Sequence, residues 1–250
     1  MTTVMLDVKE VDKIYGEKVT FHALKKVSFQ VNKGEFVGIM GPSGSGKTTL
    51  LNTISTIDSP TSGTVTINGS NPYHLKKDGL AHFRRRELGF VFQDFNLLDT
   101  LTVRQNILLP LTLDGRSRKE MEKRLQDIAH HLGIEGILQK RTFEISGGQA
   151  QRTAIARAVI HDPSIVLADE PTGNLDSNAS EDVLSILRQL NKQGATMIMV
   201  THDAYAASFC DRILFIKDGK LRAEIKRSAT QELFQKEISA TLSSLRGSEA

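Results

Sequence analysis

The sequence predicts an α/β fold with a parallel central sheet, an antiparallel β subdomain from the N-terminal residues, and an inserted α-helical subdomain. Three observations carry this. Four short apolar runs, Phe36 to Met40, Leu88 to Phe92, Ile165 to Ala168 and Met197 to Val200, lack alternation, as strands buried on both faces do. Val4, Leu6 and Val8, then Val27, Phe29 and Val31, then Val65 and Ile67 alternate with polar residues, as half-buried strands do. Between Gln93 and Ser146 the period changes: Met121, Leu125, Ile128 and Leu132 share one helical face.

Taken in order, the first alternating pair forms two strands, with Tyr15 in the connection between them, before Gly16. The run Phe36 to Met40 then enters Gly41-Pro42-Ser43-Gly44-Ser45-Gly46-Lys47-Thr48-Thr49. This stretch fits G-x-x-x-x-G-K-[ST] at every fixed position. A helix-compatible run, Thr48 to Ile57, follows. The alternative, an ordinary glycine-rich turn, does not account for the strand before and the helix after. The expected core is therefore that of a P-loop NTPase (RecA-like). Its glycines let backbone N–H groups surround phosphate oxygens, and the helix N-terminus adds a favourable field. Lys47 is expected at the β- and γ-phosphates, and the Thr48 hydroxyl on Mg²⁺.

Gly63 to Ile67 adds a third alternating strand, closed by the turn signal Asn68-Gly69. Arg84-Arg85-Arg86-Glu87 is either a solvated charged face or a contact for lipid headgroups or for a loop of a partner protein. Residues 94 to 145 read as a helical lobe, with Gly133 as a C′ residue; His130 and His131, neighbours on a helix, are read as surface residues rather than a metal pair. Ala179 to Leu190 is a helix carrying Val183, Ile186, Leu187 and Leu190 on one side. Ile213 to Ile216 and Leu221 to Ile225 flank Asp218-Gly219 and predict a hairpin. In the polar tail, Phe234, Ile238, Leu242 and Leu245 share a face that either docks on a partner or packs on the chain's own core. The expected organisation is one domain over 4–227, with a helical subdomain at about 94–160, and a partly helical tail over 228–250.

The four buried strands end at the phosphate loop, Gln93, Asp169-Glu170 and His202. In an open parallel sheet, ligands bind at the carboxyl ends of the strands. Four sequence-distant polar groups thus converge on one phosphate. Asp169 is expected to hold Mg²⁺ or a metal-bound water, and Glu170 to polarise the attacking water as general base. Gln93 is expected on the metal or that water, and His202 on the γ-phosphate. Each alone would be a solvated loop residue; their shared strand-end position argues otherwise. Ser146-Gly147-Gly148-Gln149 opens a second helix with exposed backbone N–H groups and a good N-cap. One phosphate loop and two anion-binding helix starts imply reciprocal sharing between two copies of the chain.

The stretch Ile145-Ser146-Gly147-Gly148-Gln149-Ala150-Gln151-Arg152 resembles the signature of ABC transporter ATPases, L-S-G-G-Q followed by Q-R. Ile145 departs from the usual leucine, and Ala150 fills a position that is often polar. The resemblance spans residues 4 to about 225. It implies that Tyr15 stacks on adenine, that Gln93 is the Q-loop glutamine, that Asp169 and Glu170 are the Walker-B pair, that Asn174-Leu175-Asp176 is the D-loop, and that His202 is the switch histidine. ATP and Mg²⁺ are the implied ligands. A narrower resemblance lies in Phe92 to Val103 and Asn106 to Pro110, which look like the macrolide-exporter and lipoprotein-release superfamily. His161 to Ser164 and Ala206 to Arg212 look most like bacitracin-type subunits of Firmicutes. These imply a head-to-tail ATP-sandwich dimer at the cytoplasmic face of the cell membrane, held by an integral-membrane permease. They also imply resistance to cell-wall-targeting antimicrobial peptides, a sensor histidine kinase reached through the permease, and a mechanical cycle in which dimer closure frees the peptide from its lipid target.

Composition bounds these expectations. With 39% hydrophobic and 24% charged residues, the chain is globular rather than disordered. A net charge of +3 is no basic footprint, so no nucleic-acid partner is expected. Soluble ABC ATPases that act on ribosomes or DNA carry two cassettes or a long coiled coil; this chain has one cassette and no room for the coil. An ATPase regulating cell-wall hydrolases or releasing lipoproteins remains as an alternative. Met1 to Val4 show no signal-peptide pattern, and no apolar run spans a bilayer, so another chain is expected to supply the membrane part. Cys210, the single cysteine, reads as a small buried hydrophobe.

Overall fold

The N-terminal alternation produces a three-stranded antiparallel sheet of β1 (Val4–Tyr15), β2 (Phe21–Asn32) and β4 (Ser62–Ile67), in the order β2-β1-β4. The non-alternating runs form a second sheet. It contains β3 (Phe36–Met40), β5 (Leu88–Val91), β6 (Ile165–Asp169), β7 (Met197–Val200), β8 (Arg212–Lys217) and β9 (Lys220–Lys226), ordered β5-β6-β7-β3-β8-β9. Only the β8–β9 hairpin is antiparallel; the other pairings are parallel. The α/β fold is therefore as the sequence predicts. The computed structural model describes residues 3–16, 19–228 and 230–247. Met1 and Thr2, within the stretch expected to lack a signal peptide, and Ala229 and residues 248–250 of the expected tail lie outside the described residues.

Burial on both faces explains the missing alternation. Phe36, Met40, Val166, Ala168, Met197 and Met199 face one apolar layer. It is closed by α3 (Val103–Leu113), α4 (Arg118–Leu132), α5 (Gly147–Val159), α6 (Ser177–Lys192), α7 (Ala204–Ala207) and α8 (Gln231–Gly247). Their neighbours Val37, Ile39, Ile165, Leu167, Ile198 and Val200 face the other layer, against α1 (Lys47–Ile54) and the antiparallel sheet. Cys210 is buried in the first layer, and burial pushes its thiol pKa up, as suits a small hydrophobe.

Several local expectations are corrected. The helix after the phosphate loop ends at Ile54, not Ile57. Residues 94–102 are not helical: buried Asn106 accepts from Leu98 N–H at 2.8 Å and donates to the carbonyls of Leu98 and Thr102 at 3.1 Å, holding the segment as a loop. Beyond α4, Glu135–Ile137 and Thr142–Glu144 are single 3₁₀ turns. Gly133 ends α4 at φ 61°, the left-handed conformation expected of a C′ glycine. Val4 lies more exposed than Leu6 and Val8, because a register shift follows it.

The arginine run is neither free nor simply solvated. On α2 (Lys77–Glu87), Arg84 bonds Thr56, Arg85 donates to Leu113 O at 3.0 Å, and Arg86 donates to Asp114 Oδ1 at 3.1 Å. The guanidinium of Arg86 holds the Asp114 carboxyl below its usual range. Arg85 and Arg86 thus tie α2 to the C-terminal end of α3, where cations suit the helix dipole, and Arg84 ties it to Thr56. In α8, Phe234 and Ile238 are buried in the chain's own core, and Leu242 and Leu245 pack against it. Among the described residues, no helix is long and apolar enough to cross a membrane.

Candidate nucleotide-binding and hydrolysis site

The sheet order places β5, β6, β7 and β3 side by side and parallel. The residues that follow each strand therefore lie along one sheet edge, in the order Gln93, Asp169-Glu170, His202 and the phosphate loop. That edge is where the site is built.

The loop from Gly41 to Gly46 threads between β8 and β2. A Cβ on Gly41 (φ 156°) would lie 2.0 Å from Ile216 O and 2.8 Å from Ser45 Oγ. On Gly46 (φ 105°) it would lie 2.6 Å from Ala23 O. Side chains are excluded at both positions, so the backbone itself forms the inner wall. Ser45 Oγ is buried without a hydrogen-bond partner among the described residues. Lys47 Nζ donates to the carbonyls of Gly41 and Pro42, each at 2.9 Å, which holds the ammonium inside the loop. Burial lowers its pKa, while the charges of Glu170 and Asp169 pull it back up. An orphaned hydroxyl, a side-chain-free cradle and a half-buried cation fit a phosphate chain. Ser43, Gly44 and Thr48 lie exposed on the loop and first helical turn, and Thr49 is half-buried.

Asp169 closes β6. Burial and then the neighbouring Glu170 charge raise its pKa, and Lys47 partly offsets this. Glu170 sits at φ 46°, in the left-handed region that non-glycine residues seldom adopt. Its N–H donates to Val200 O at 2.9 Å, and its carbonyl accepts from Gly173 N–H at 3.0 Å. The two bonds hold this conformation and turn the carboxylate toward His202. Glu170 Oε1 lies 2.9 Å from His202 Nδ1. His202 was expected on the γ-phosphate; here one ring nitrogen faces Glu170, which leaves Nε2 for any phosphate. Oxygen donors at Thr48 and Asp169, with two carboxylates adjacent, fit a small dication such as Mg²⁺.

The remaining predicted residues are held by partners outside that cluster. Gln93 Nε2 donates to Asn174 Oδ1 at 3.3 Å, and Asn174 Nδ2 donates to Asp94 Oδ1 at 2.7 Å. The Gln93 side chain packs on Gly173, where a Cβ would fall 2.8 Å from Nε2. It is thus drawn to the D-loop side. Ser146 and Gln149 form a capping box at the start of α5: Gln149 N–H donates to Ser146 Oγ at 3.3 Å, and Ser146 N–H to Gln149 Oε1 at 3.0 Å. Ser146, Gly147 and Gly148 line a cleft of about 430 Å³ with Asn174, Leu175 and Asp176, and no residue of the phosphate loop enters it. Asp176 caps α6, accepting from Ala179 N–H at 2.9 Å. Tyr15 donates its phenol to Asp58 Oδ2 at 2.6 Å.

Three contributors have no role assigned from the sequence. Gln151, fully buried on α5, donates to Pro171 O at 2.6 Å and Phe92 O at 3.4 Å, beside Glu170 and Gln93 respectively. Its signal was a large polar side chain on a face otherwise occupied by Ala154, Ile155 and Ala158. Lys13 and Asp58 pair at 2.6 Å beneath Tyr15. Alternation along β1 places Lys13 on the inner face with Val11, but nothing in the sequence names its partner.

The family model described as "ABC transporter" matches residues 24–173. The chain is 59% identical over 244 residues to the ABC transporter ATP-binding protein YxdL of Bacillus subtilis, covering 97% of this chain and 95% of that one. It is 50% identical over 246 residues to the bacitracin export ATP-binding protein BceA of Halalkalibacterium halodurans, covering 97% of each. It is 43% identical to the macrolide export ATP-binding/permease protein MacB of Mannheimia succiniciproducens, matching 91% of this chain and 36% of that longer one. The dimeric post-hydrolysis state of the ATP-binding cassette MJ0796 of Methanocaldococcus jannaschii, bound to ADP and Pi, superposes with TM-score 0.82 at 42% identity, over 90% of this chain and all of that one. A phosphate loop, an acidic strand end and a histidine on one sheet edge, in a chain with such relatives, leave one assignment: this protein belongs to the ABC transporter family, as an ATP-binding subunit that hydrolyses ATP.

Proposed function

We propose that this subunit powers a separate integral-membrane permease that protects the cell against cell-wall-targeting antimicrobial peptides such as bacitracin. The observation that carries this reading is the 50% identity, across 97% of both chains, to the bacitracin export ATP-binding protein. The macrolide export relative, which joins ATP-binding and permease functions in one name, supports the coupling to a permease.

In this reading two copies close head to tail over ATP. Gly41 to Thr49 of one copy hold the phosphates, with Lys47 at the β- and γ-oxygens. Ser146, Gly147 and Gly148 of the other copy cap the γ-phosphate, with Gln149 and Asp176 shaping that half of the interface. The separation of the Ser146 cleft from the chain's own phosphate loop favours this sharing. Thr48, Asp169 and Gln93 would hold Mg²⁺, which neutralises charge on the phosphates when bound. Glu170 takes a proton from the attacking water. His202 steadies that carboxylate through the 2.9 Å contact and offers Nε2 to the γ-phosphate. Because Gln93 bonds the D-loop here, it reaches the metal only if that bond opens. Closure and reopening pull on the permease, which places the subunit at the cytoplasmic face of the membrane and within reach of a sensor histidine kinase through the permease.

Recovery of the protein from its native membrane, with identification of what co-purifies, tests this. A polytopic permease, with raised bacitracin susceptibility when the gene is disrupted, is the expected result. A cell-wall hydrolase or lipoprotein-release partner, with unchanged susceptibility, would overturn the peptide-resistance reading and leave the ATPase intact.

A further inference from the structure

We propose that Lys13 and Asp58 are positioning residues that clamp the Tyr15 ring as a one-faced platform, so that the nucleotide base is recognised by stacking. The inference deepens the nucleotide site described above and rests on the expectation that Tyr15 meets the base.

Lys13 and Tyr15 are two residues apart on β1 and so share a side of the strand. The Lys13 side chain is only 11% exposed. Its Nζ donates to Asp58 Oδ1 at 2.6 Å and to Ser59 O at 2.8 Å, and lies 4.7 Å from the Tyr15 ring centroid. An ammonium at that distance is a cation–π contact, and its near-complete burial strengthens it. The other Asp58 oxygen, Oδ2, accepts the Tyr15 phenol at 2.6 Å. One edge and one face of the ring are thereby occupied. Tyr15 nevertheless remains 38% exposed. Lys13 covers one face, so a base would stack on the other.

Asp58 is itself held from two sides. Its N–H donates to Asn52 O at 3.1 Å, just before the end of α1. Its carbonyl accepts the Tyr73 hydroxyl at 2.8 Å, and that phenol is buried enough for its pKa to be pushed well up. The platform is thus fastened to the helix that begins at Lys47, so the ring keeps a constant offset from the phosphate cradle. Burial and the contact with Asp58 also raise the Tyr15 phenol pKa, which keeps it a hydrogen-bond donor across the physiological range. Both Asp58 oxygens and the Lys13 ammonium are committed within the clamp. The ring face it presents is flat and carries no donor or acceptor of its own for a base edge. Such a surface ranks bases by stacking area, purines above pyrimidines.

Calorimetric titration of the full-length protein with ATP, CTP and inorganic tripolyphosphate tests this. Stacking on an aromatic ring is worth a factor of ~5 to ~150 in affinity, of which a loosened ring forfeits part. Lys13→Met should weaken ATP by ~3- to 20-fold. CTP should weaken less, and tripolyphosphate, which has no base, should stay within about twofold of the native protein. Lys13→Arg, which keeps a cation under the ring, should restore most of the ATP affinity. In a Tyr15→Ala background, Lys13→Met should add nothing. If Lys13→Met proves unstable, Asp58→Asn carries the same expectations. Unchanged ATP affinity in these variants, an equal loss for tripolyphosphate, or a full additive loss in the Tyr15→Ala background would overturn the clamp. Failure of the underlying site is distinct: native protein would then bind no tripolyphosphate, or Lys47→Ala would leave its binding unchanged.

Discussion

Replacing Glu170 by glutamine isolates proton abstraction from everything else the residue does. The amide keeps the shape and an oxygen able to face His202 Nδ1, now 2.9 Å from the carboxylate. The left-handed backbone at φ 46° is held by bonds of the main chain, to Val200 O and from Gly173 N–H, that the substitution does not touch. Fold stability should therefore change by no more than about 0.5 kcal/mol. Lys47 is fixed by the Gly41 and Pro42 carbonyls, not by Glu170, so ATP should still bind. What is lost is the base. General-base catalysis contributes ~10²- to 10⁴-fold, or about 2.7 to 5.4 kcal/mol in the barrier. Phosphate release by the permease-bound complex should fall by at least ~10²-fold, with a closed, ATP-loaded dimer accumulating. A second signature concerns pH. Burial first, and then the Glu170 charge, raise the Asp169 pKa. Removing the Glu170 charge favours ionised Asp169, so the acid limb of Mg²⁺-ATP binding should move to lower pH. Turnover within threefold of the native complex would refute the base assignment, as would a loss of activity that merely tracks lost ATP binding.

Lys47→Ala removes a charge-assisted contact worth about 1.5–3 kcal/mol, so ATP affinity should drop ~10- to 150-fold by calorimetry. Ser146→Arg should abolish ATP-dependent dimerisation in size-exclusion runs while leaving monomer binding intact; a variant that still dimerises would sink reciprocal sharing. Gln151→Leu deletes donors to Pro171 O and Phe92 O but also an Oε1 that lacks a partner among the described residues, so its net stability cost should be about 1 kcal/mol. Gln151→Glu buries a carboxylate against the same carbonyls and should cost ~3 kcal/mol or more in denaturant melts. If Gln151 positions Glu170, Gln151→Leu should lower kcat with KM for ATP unchanged. Phe234→Ala empties a buried site under α8 and should cost about 3–5 kcal/mol, seen as a lowered Tm.

The sequence alone determined the fold class and the identity of the strand ends. Non-alternating runs had to be strands buried on both faces, and the glycine pattern after Met40 specified a backbone cradle. Both are local properties, carried by side-chain period and by the conformations that glycine permits. It also placed a capped helix start at Ser146, because a capping box is written within four consecutive residues. Partnerships across the fold were not legible. Gln93 to Asn174 spans 81 positions, Lys13 to Asp58 spans 45, and Gln151 to Pro171 spans 20, across a helix, a strand and a loop. A long polar side chain can reach many acceptors, and only packing decides which. Packing settled the rest as well: Arg85 and Arg86 of α2 went to the end of α3 and Arg84 to Thr56, the apolar face of α8 went to the chain's own core, and one nitrogen of His202 went to Glu170. Period and turn chemistry are local energies, readable in a single stretch of chain. The pairing of buried polar groups is settled only when separate elements exclude water together.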